Sequence, residues 1–101
     1  MECYLDNSAT TKPCKAAVDA EISALTELYG NPSSLHQKGV DAYMLLEKSR
    51  GTIAASLKAS PDEIYFTPCG TVSNNTAIFG AVREKKRLGK KIVTTALEHP
   101  S

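Results

Sequence analysis

The sequence predicts an α/β fold, because two segments with the composition of strands flank a segment with the spacing of a helix. Residues 63–66, Glu-Ile-Tyr-Phe, form the first strand-like segment, and residues 92–96, Ile-Val-Thr-Thr-Ala, form the second. Residues 75–82 lie between them and have helical composition. A strand, a helix and a strand within about 35 residues make a βαβ unit, which predicts a parallel sheet.

Two helices are predicted ahead of this unit. The first starts near Pro13 and is expected to end at the Gly-Asn-Pro sequence of residues 30–32. The second runs from about Val40 to about Leu57, and Gly51 within it argues against a straight helix. The apolar residues that repeat at helical spacing are Val18, Ile22, Leu25 and Tyr29 in the first helix, and Leu45, Leu46, Ile53 and Leu57 in the second.

Composition and charge exclude several classes of function. The chain has 101 residues, enough for one small domain, with 42% apolar residues and a net charge of +1. The basic cluster of residues 83–91 is predicted to be a solvated helix end and loop, because no aromatic residues are interleaved with it. No apolar stretch approaches the roughly 20 residues that span a bilayer. We therefore expect neither nucleic acid nor a membrane as a partner.

The cysteines and the N-terminus predict a cytoplasmic protein without a metal site. The N-terminus lacks the charged and then apolar pattern of a signal peptide. The three cysteines show no metal-ligand spacing, and a reducing compartment would keep them as thiols.

The turn after the first predicted strand is the best candidate for a binding site. Its sequence, Phe-Thr-Pro-Cys-Gly-Thr-Val-Ser-Asn-Asn at residues 66–75, joins a strand to a helix through small and polar residues. Such a junction points free backbone N–H groups at an anion, usually a phosphate. Gly70 permits close approach of a ligand and Thr71 adds a hydroxyl donor, although a Gly-Thr pair at such a junction can also serve merely to cap a helix.

The predicted sheet is too small to be complete. Two parallel strands need neighbouring strands and helices on both faces. The sequence also ends directly after the second strand, where a functional loop is expected. We therefore expect residues 1–101 to be the incomplete N-terminal portion of a single larger domain.

Four short polar clusters together carry a family resemblance. They are residues 5–11 (Leu-Asp-Asn-Ser-Ala-Thr-Thr), 30–36 (Gly-Asn-Pro-Ser-Ser-Leu-His), 70–75 (Gly-Thr-Val-Ser-Asn-Asn) and 98–100 (Glu-His-Pro). In order and content they resemble the N-terminal part of cysteine desulfurases of the NifS/IscS type, which belong to the class V aminotransferase group and use pyridoxal 5′-phosphate (PLP). The resemblance implies the N-terminal part of the PLP-dependent transferase, or aspartate aminotransferase-like, fold.

The resemblance implies roles for particular residues. Gly70 and Thr71 match the family's cofactor phosphate site. His99 matches the histidine that stacks on the cofactor ring and takes part in proton transfer, so it is both a cofactor-binding and a catalytic candidate. Imidazole suits both roles, since it is a flat ring that exchanges protons near neutral pH.

Three further residues resemble those around the family's substrate pocket. Asn7 and Ala9 match a segment that folds back beside the pocket and shapes it. His36 matches a histidine near its entrance, where a hydrogen bond that stabilises the loop is an equally good interpretation.

The sequence also departs from the family pattern. Cys69 stands where the family usually has Gly or Ala, and Val72 stands where it usually has Glu. A thiol at a helix start can be reactive, but we assign Cys69 no catalytic role. The family's Schiff-base lysine, the aspartate paired with the cofactor's ring nitrogen and the nucleophilic cysteine all match positions beyond residue 101.

The function implied by the resemblance is a homodimeric cysteine desulfurase. Such an enzyme converts L-cysteine to L-alanine and passes sulfur as a persulfide to an acceptor protein, such as an iron–sulfur scaffold, or to thio-cofactor assembly. The alternatives are another class V PLP enzyme, either a selenocysteine lyase or an aminotransferase, and a non-catalytic truncated chain.

Overall fold

A computed structural model describes residues 3–101 and divides them into two compact units, one ending at Ile64 and one comprising Tyr65–Ser101. The first contains helix α1 (Lys15–Thr26), helix α2 (Gln37–Leu57) and a 3-10 turn at Pro61–Glu63. The second contains helix α3 (Gly70–Glu84), which continues into a 3-10 turn at Lys85–Arg87.

Helix α1 ends earlier than its apolar spacing predicts. Its last residue is Thr26, so Tyr29 lies outside the helix. The Lys38 ammonium donates a hydrogen bond of 3.1 Å to the carbonyl of Glu27, the residue that follows the helix. The same ammonium lies 5.2 Å from the centre of the Tyr29 ring, within the range of a cation–π contact. The chain leaves the helical pattern at Leu28, whose amide donates to the Ser23 carbonyl, five residues back, at 3.2 Å.

Helix α2 supplies the small core of the first unit. It begins at Gln37, three residues before the predicted start, because His36 caps its first turn. The described hydrophobic residues that are buried are Ala42 and Ala54, both on this helix, and Gly39 is buried with them. Because these residues are small, neighbouring backbone can pack close to the helix.

The end of the first unit is tied back to α2. The Arg50 side chain donates to the Glu47 carboxylate at 3.1 Å and to the carbonyl of Ile64. Ile64 has extended backbone angles, with φ −100° and ψ 120°. The segment for which the first strand is predicted therefore starts in strand-like geometry, anchored to the preceding helix.

Neither predicted strand has a ladder partner within residues 3–101. Residues 64–67 and 91–95 lack regular hydrogen-bonded structure. A parallel strand is assigned only where a neighbour supplies its hydrogen bonds, and no other part of the described chain does so. The helical part of the predicted βαβ unit is present as α3, which begins five residues before the predicted segment of residues 75–82.

Apolar helix faces remain uncovered in both units. Val18, Ile22 and Leu25 of α1 are 39–69% exposed, and Ile78, Phe79 and Val82 of α3 are 44–69% exposed. A folded domain normally covers contiguous faces of this kind. The described residues do not supply that cover, and the expectation that residues 1–101 are part of a larger domain stays a prediction.

The helices of the described residues are also too short or too polar to span a bilayer.

Candidate functional site

The first turn of α3 is an uncapped helix start. Cys69 precedes the helix in an extended conformation, and its side chain makes no capping hydrogen bond. The first amide of the turn with a backbone partner is that of Ser73, which donates to the Cys69 carbonyl at 3.1 Å. The N–H groups of Gly70, Thr71 and Val72 therefore have no hydrogen-bond partner within the described part of the chain. Together with the helix dipole, they favour an anion at this end.

The space around this turn is open to a ligand. A Cβ atom built at Gly70 would have no neighbouring atom within 4 Å. The Thr71 hydroxyl makes no hydrogen bond within residues 3–101, so it adds a fourth donor to the three amides. Since a phosphate group accepts several hydrogen bonds at once, this donor set suits it.

Other polar side chains of the turn hold its shape. Thr67 donates to the Cys69 carbonyl at 3.1 Å, and its hydroxyl lies 2.5 Å from that of Ser73. Asn75 donates to the Thr71 carbonyl at 2.8 Å. Ser73 and Asn75, which follow Thr71 in the same polar cluster, thus bind the protein's own turn.

His99 lies beside α3 in the second unit. A cleft of about 490 Å³ is lined by Asn74, Ala77 and Ile78 of the helix and by residues of the last segment, His99 among them. The His99 Nδ1 atom accepts a hydrogen bond of 3.1 Å from the Ser101 amide. The Asn74 side chain donates to the Ser101 hydroxyl at 2.7 Å. His99 is therefore held next to the helix that begins with Gly70 and Thr71.

Asn7 and Ala9 lie in a closed turn of the first unit. The amides of Ala9 and Thr10 both donate to the Asp6 carbonyl, at 3.2 and 3.3 Å. The Tyr4 hydroxyl lies 3.0 Å from the carbonyls of Asp6 and Thr10. The turn is thus fixed by its own hydrogen bonds, while Asn7 and Ala9 stay exposed. Their assignment to a substrate pocket stays a prediction.

His36 caps α2. Its Nδ1 atom accepts a hydrogen bond of 3.3 Å from the Gly39 amide. This is the loop-stabilising bond that the sequence left open as an alternative, and the assignment of His36 to the substrate pocket stays a prediction. Like Asn7 and Ala9, His36 belongs to the first unit, whereas Gly70, Thr71 and His99 belong to the second.

Sequence reasoning did not single out the glycines that support the His36 loop. A Cβ at Gly39 would overlap the Ser34 carbonyl and crowd the Asn31 carbonyl, and one at Gly30 would overlap the Lys38 carbonyl. Gly39 has a negative φ, so close packing and not backbone conformation requires a glycine there. A glycine in the first turn of a helix, where alanine is more stable, was the available signal.

No group of three or more His, Cys, Asp or Glu that could hold a metal ion occurs among residues 3–101.

Comparison with known proteins identifies the family. The model of the class V aminotransferase family matches residues 3–101. The chain belongs to this family. Named relatives include a NifS/IcsS protein homolog of Lactobacillus delbrueckii, 50% identical over 97% of this chain, and the cysteine desulfurase NifS of Azotobacter vinelandii, 44% identical over 99%. The cysteine desulfurase IscS of Methanosarcina thermophila is 42% identical over 95% of the chain.

Comparison with a solved structure identifies the fold of this class V aminotransferase chain. A NifS-like protein superposes with a TM-score of 0.86 at 37% identity and covers 98% of the chain. The described residues therefore adopt part of the PLP-dependent transferase fold, which confirms the predicted fold class. The chain spans about a quarter of the length of these relatives: 24–26% of the three named above and 27% of the NifS-like protein.

Proposed function

We propose that this chain belongs to a PLP-dependent cysteine desulfurase, in which it supplies part of the cofactor phosphate site. The enzyme converts L-cysteine to L-alanine and retains the sulfur as an enzyme persulfide. The observation that carries the proposal is the uncapped start of α3, where three amides and the Thr71 hydroxyl have no partner within the described residues. Two of the named relatives are cysteine desulfurases, which supports the choice of reaction.

The residues present fit the phosphate of PLP. A phosphate needs several donors at one point, and Gly70, Thr71 and Val72 offer amides on a single helical turn that is open to ligands. Val72 stands where the family usually has Glu, so the first turn of α3 lacks a carboxylate that would favour the helix start. When bound, PLP acts as the electron sink for bonds to the substrate's α carbon.

His99 supplies a ring and a proton-exchanging nitrogen beside the same helix. Its Nδ1 atom is engaged by the Ser101 amide, whereas its Nε2 atom has no hydrogen-bond partner within the described residues. In our proposal His99 stacks on the cofactor ring and exchanges a proton with the substrate through Nε2. Imidazole does this well near neutral pH.

The remaining parts of the proposal rest on the family alone. They are L-cysteine as substrate, a sulfur-acceptor protein such as an iron–sulfur scaffold, a homodimeric active form and a cytoplasmic location. The lysine and the nucleophilic cysteine that the family uses match no position in this chain, so we propose that residues 1–101 are inactive by themselves.

Turnover by the full-length protein tests the proposed reaction. The purified protein is expected to retain PLP, seen by its visible absorbance, and to release alanine from L-cysteine with sulfur recovered as sulfide when a thiol is added. If the protein released alanine from L-selenocysteine but not from L-cysteine, it would be a selenocysteine lyase. If it transferred the amino group to a keto acid, it would be an aminotransferase. Failure to retain PLP would leave a non-catalytic protein.

A further inference from the structure

We propose that Asn74 is a positioning residue for His99 and acts through Ser101. The proposal rests on the proposed function, since that function gives His99 its part in proton transfer. In this proposal, hydrogen bonds from α3, the helix that starts at the proposed phosphate site, determine which ring nitrogen of His99 carries the proton.

Two hydrogen bonds form the link. The Asn74 side-chain amide donates to the Ser101 hydroxyl at 2.7 Å, across 27 residues of sequence. The backbone amide of Ser101 donates to His99 Nδ1 at 3.1 Å. Ser101 thus contacts the helix with its side chain and the imidazole with its backbone. Fixing the side chain also fixes the direction of the backbone N–H group.

The second bond selects one tautomer of the neutral ring. Because Nδ1 accepts a hydrogen bond, it carries no proton, and the proton of the neutral ring lies on Nε2. The Nε2 atom has no hydrogen-bond partner within the described part of the chain, so it is the nitrogen open to a ligand. The link therefore leaves His99 with an Nε2–H donor that is open to a ligand.

Neighbouring polar groups do not replace Asn74 in this role. The Asn75 side chain donates to the Thr71 carbonyl of its own helix. The Glu98 carboxylate, which shares the cleft with His99, accepts a hydrogen bond of 2.9 Å from Thr95. Of the two adjacent asparagines, Asn74 alone reaches the segment that carries His99.

The state of His99 can be measured without cofactor or turnover. The full-length protein is labelled with ¹⁵N-histidine, freed of PLP and examined by NMR, and the His99 signals are those lost in His99→Gln. We expect Asn74→Ala and Ser101→Ala each to lower the ratio of Nε2–H to Nδ1–H tautomer about fivefold, the size of effect of one lost hydrogen bond. Asn74→Ala combined with Ser101→Ala is expected to lower the ratio no further, because both remove the same link.

Matched variants separate positioning from general disturbance. Asn75→Ala, which removes the adjacent asparagine, is expected to leave the His99 signals unchanged. Ser101→Thr, which keeps a hydroxyl, is expected to keep the wild-type tautomer ratio, in contrast to Ser101→Ala. An unchanged ratio in Asn74→Ala or Ser101→Ala would overturn the proposal, as would an equal shift in Asn75→Ala. Absence of PLP from the wild-type protein would instead contradict the proposed function, since the tautomer is read in the cofactor-free protein.

Discussion

The starts of α2 and α3 differ in how far the chain itself supplies hydrogen-bond partners for their first amides. Each helix leaves amides at its first turn that need partners. At α2, His36 accepts the Gly39 amide, and the preceding loop packs so closely that Gly39 is buried. At α3, the Cys69 side chain caps nothing, and the three following residues have amides without partners in the described chain.

We therefore interpret the start of α2 as structural and the start of α3 as a binding site for an anion. A helix start that is capped by its own chain, as His36 caps Gly39, is stabilised and has one amide fewer to offer a ligand. One that is left open is less stable by itself, but it gains when an anion binds. On this basis, changes at the start of α2 are expected to alter folding, and changes at the start of α3 to alter cofactor binding.

The largest effect is expected from Gly39→Ala. The added methyl group would overlap the Ser34 carbonyl, and such overpacking costs about 2–3 kcal/mol. Urea unfolding of the full-length protein measures the loss. The control is Gly51→Ala in the same helix, which meets no atom within 4 Å and is expected to stabilise by about 0.5–1 kcal/mol. Equal stability of the two variants would show that the loop before α2 moves enough to accommodate the added methyl group.

Thr71→Val is expected to weaken PLP binding without loss of stability. The change removes a hydroxyl but keeps the branched shape, and a lost hydrogen bond to a charged group costs about 1.5 kcal/mol, or roughly tenfold in affinity. Titration of the cofactor-free protein with PLP measures it. Thr76→Val makes the same change farther along α3 and should leave the affinity unchanged. Equal effects of both would remove Thr71 from the phosphate site.

His36→Ala is expected to destabilise the protein by about 1 kcal/mol through loss of the cap on α2. His36→Asn should keep most of the stability, since asparagine is a good capping residue. This pair also tests the predicted place of His36 at the substrate pocket. A stable His36→Asn protein with a raised KM for L-cysteine would support that place, and an unchanged KM would leave His36 as a cap alone.

The smallest effect is expected from Cys69→Ser, which makes the start of α3 resemble that of α2. A serine hydroxyl there can accept an amide of the first turn and stabilise the cofactor-free protein by about 0.5 kcal/mol. Because the hydroxyl competes for that amide, PLP affinity should fall slightly. Unfolding measured with and without PLP reads both effects. If the substitution raised the free energy of unfolding equally with and without PLP, the phosphate would not bind at this turn.

Much of the fold could be predicted from local sequence. Apolar spacing located α1 and α2, whereas the helix predicted for residues 75–82 begins five residues earlier as α3. Element ends were less predictable, because they depend on side-chain hydrogen bonds that apolar spacing does not show: His36 caps α2, which starts three residues before the predicted residue. The predicted strands have no partner within residues 3–101, because a ladder depends on neighbours that local sequence does not specify.

The sequence by itself determined the family, the α/β class and the residues proposed for the phosphate site, because these depend on motif order and on the chemistry of a helix start. Which polar groups remain open follows from the folded structure. It showed that Ser73 and Asn75 bind their own turn, that His36 caps a helix, and that Asn74 and Ser101 hold His99. The local bonds depend on side-chain rotamers, and the bond between Asn74 and Ser101, 27 residues apart, depends on the folded path of the chain, so residue types and spacing do not specify either kind.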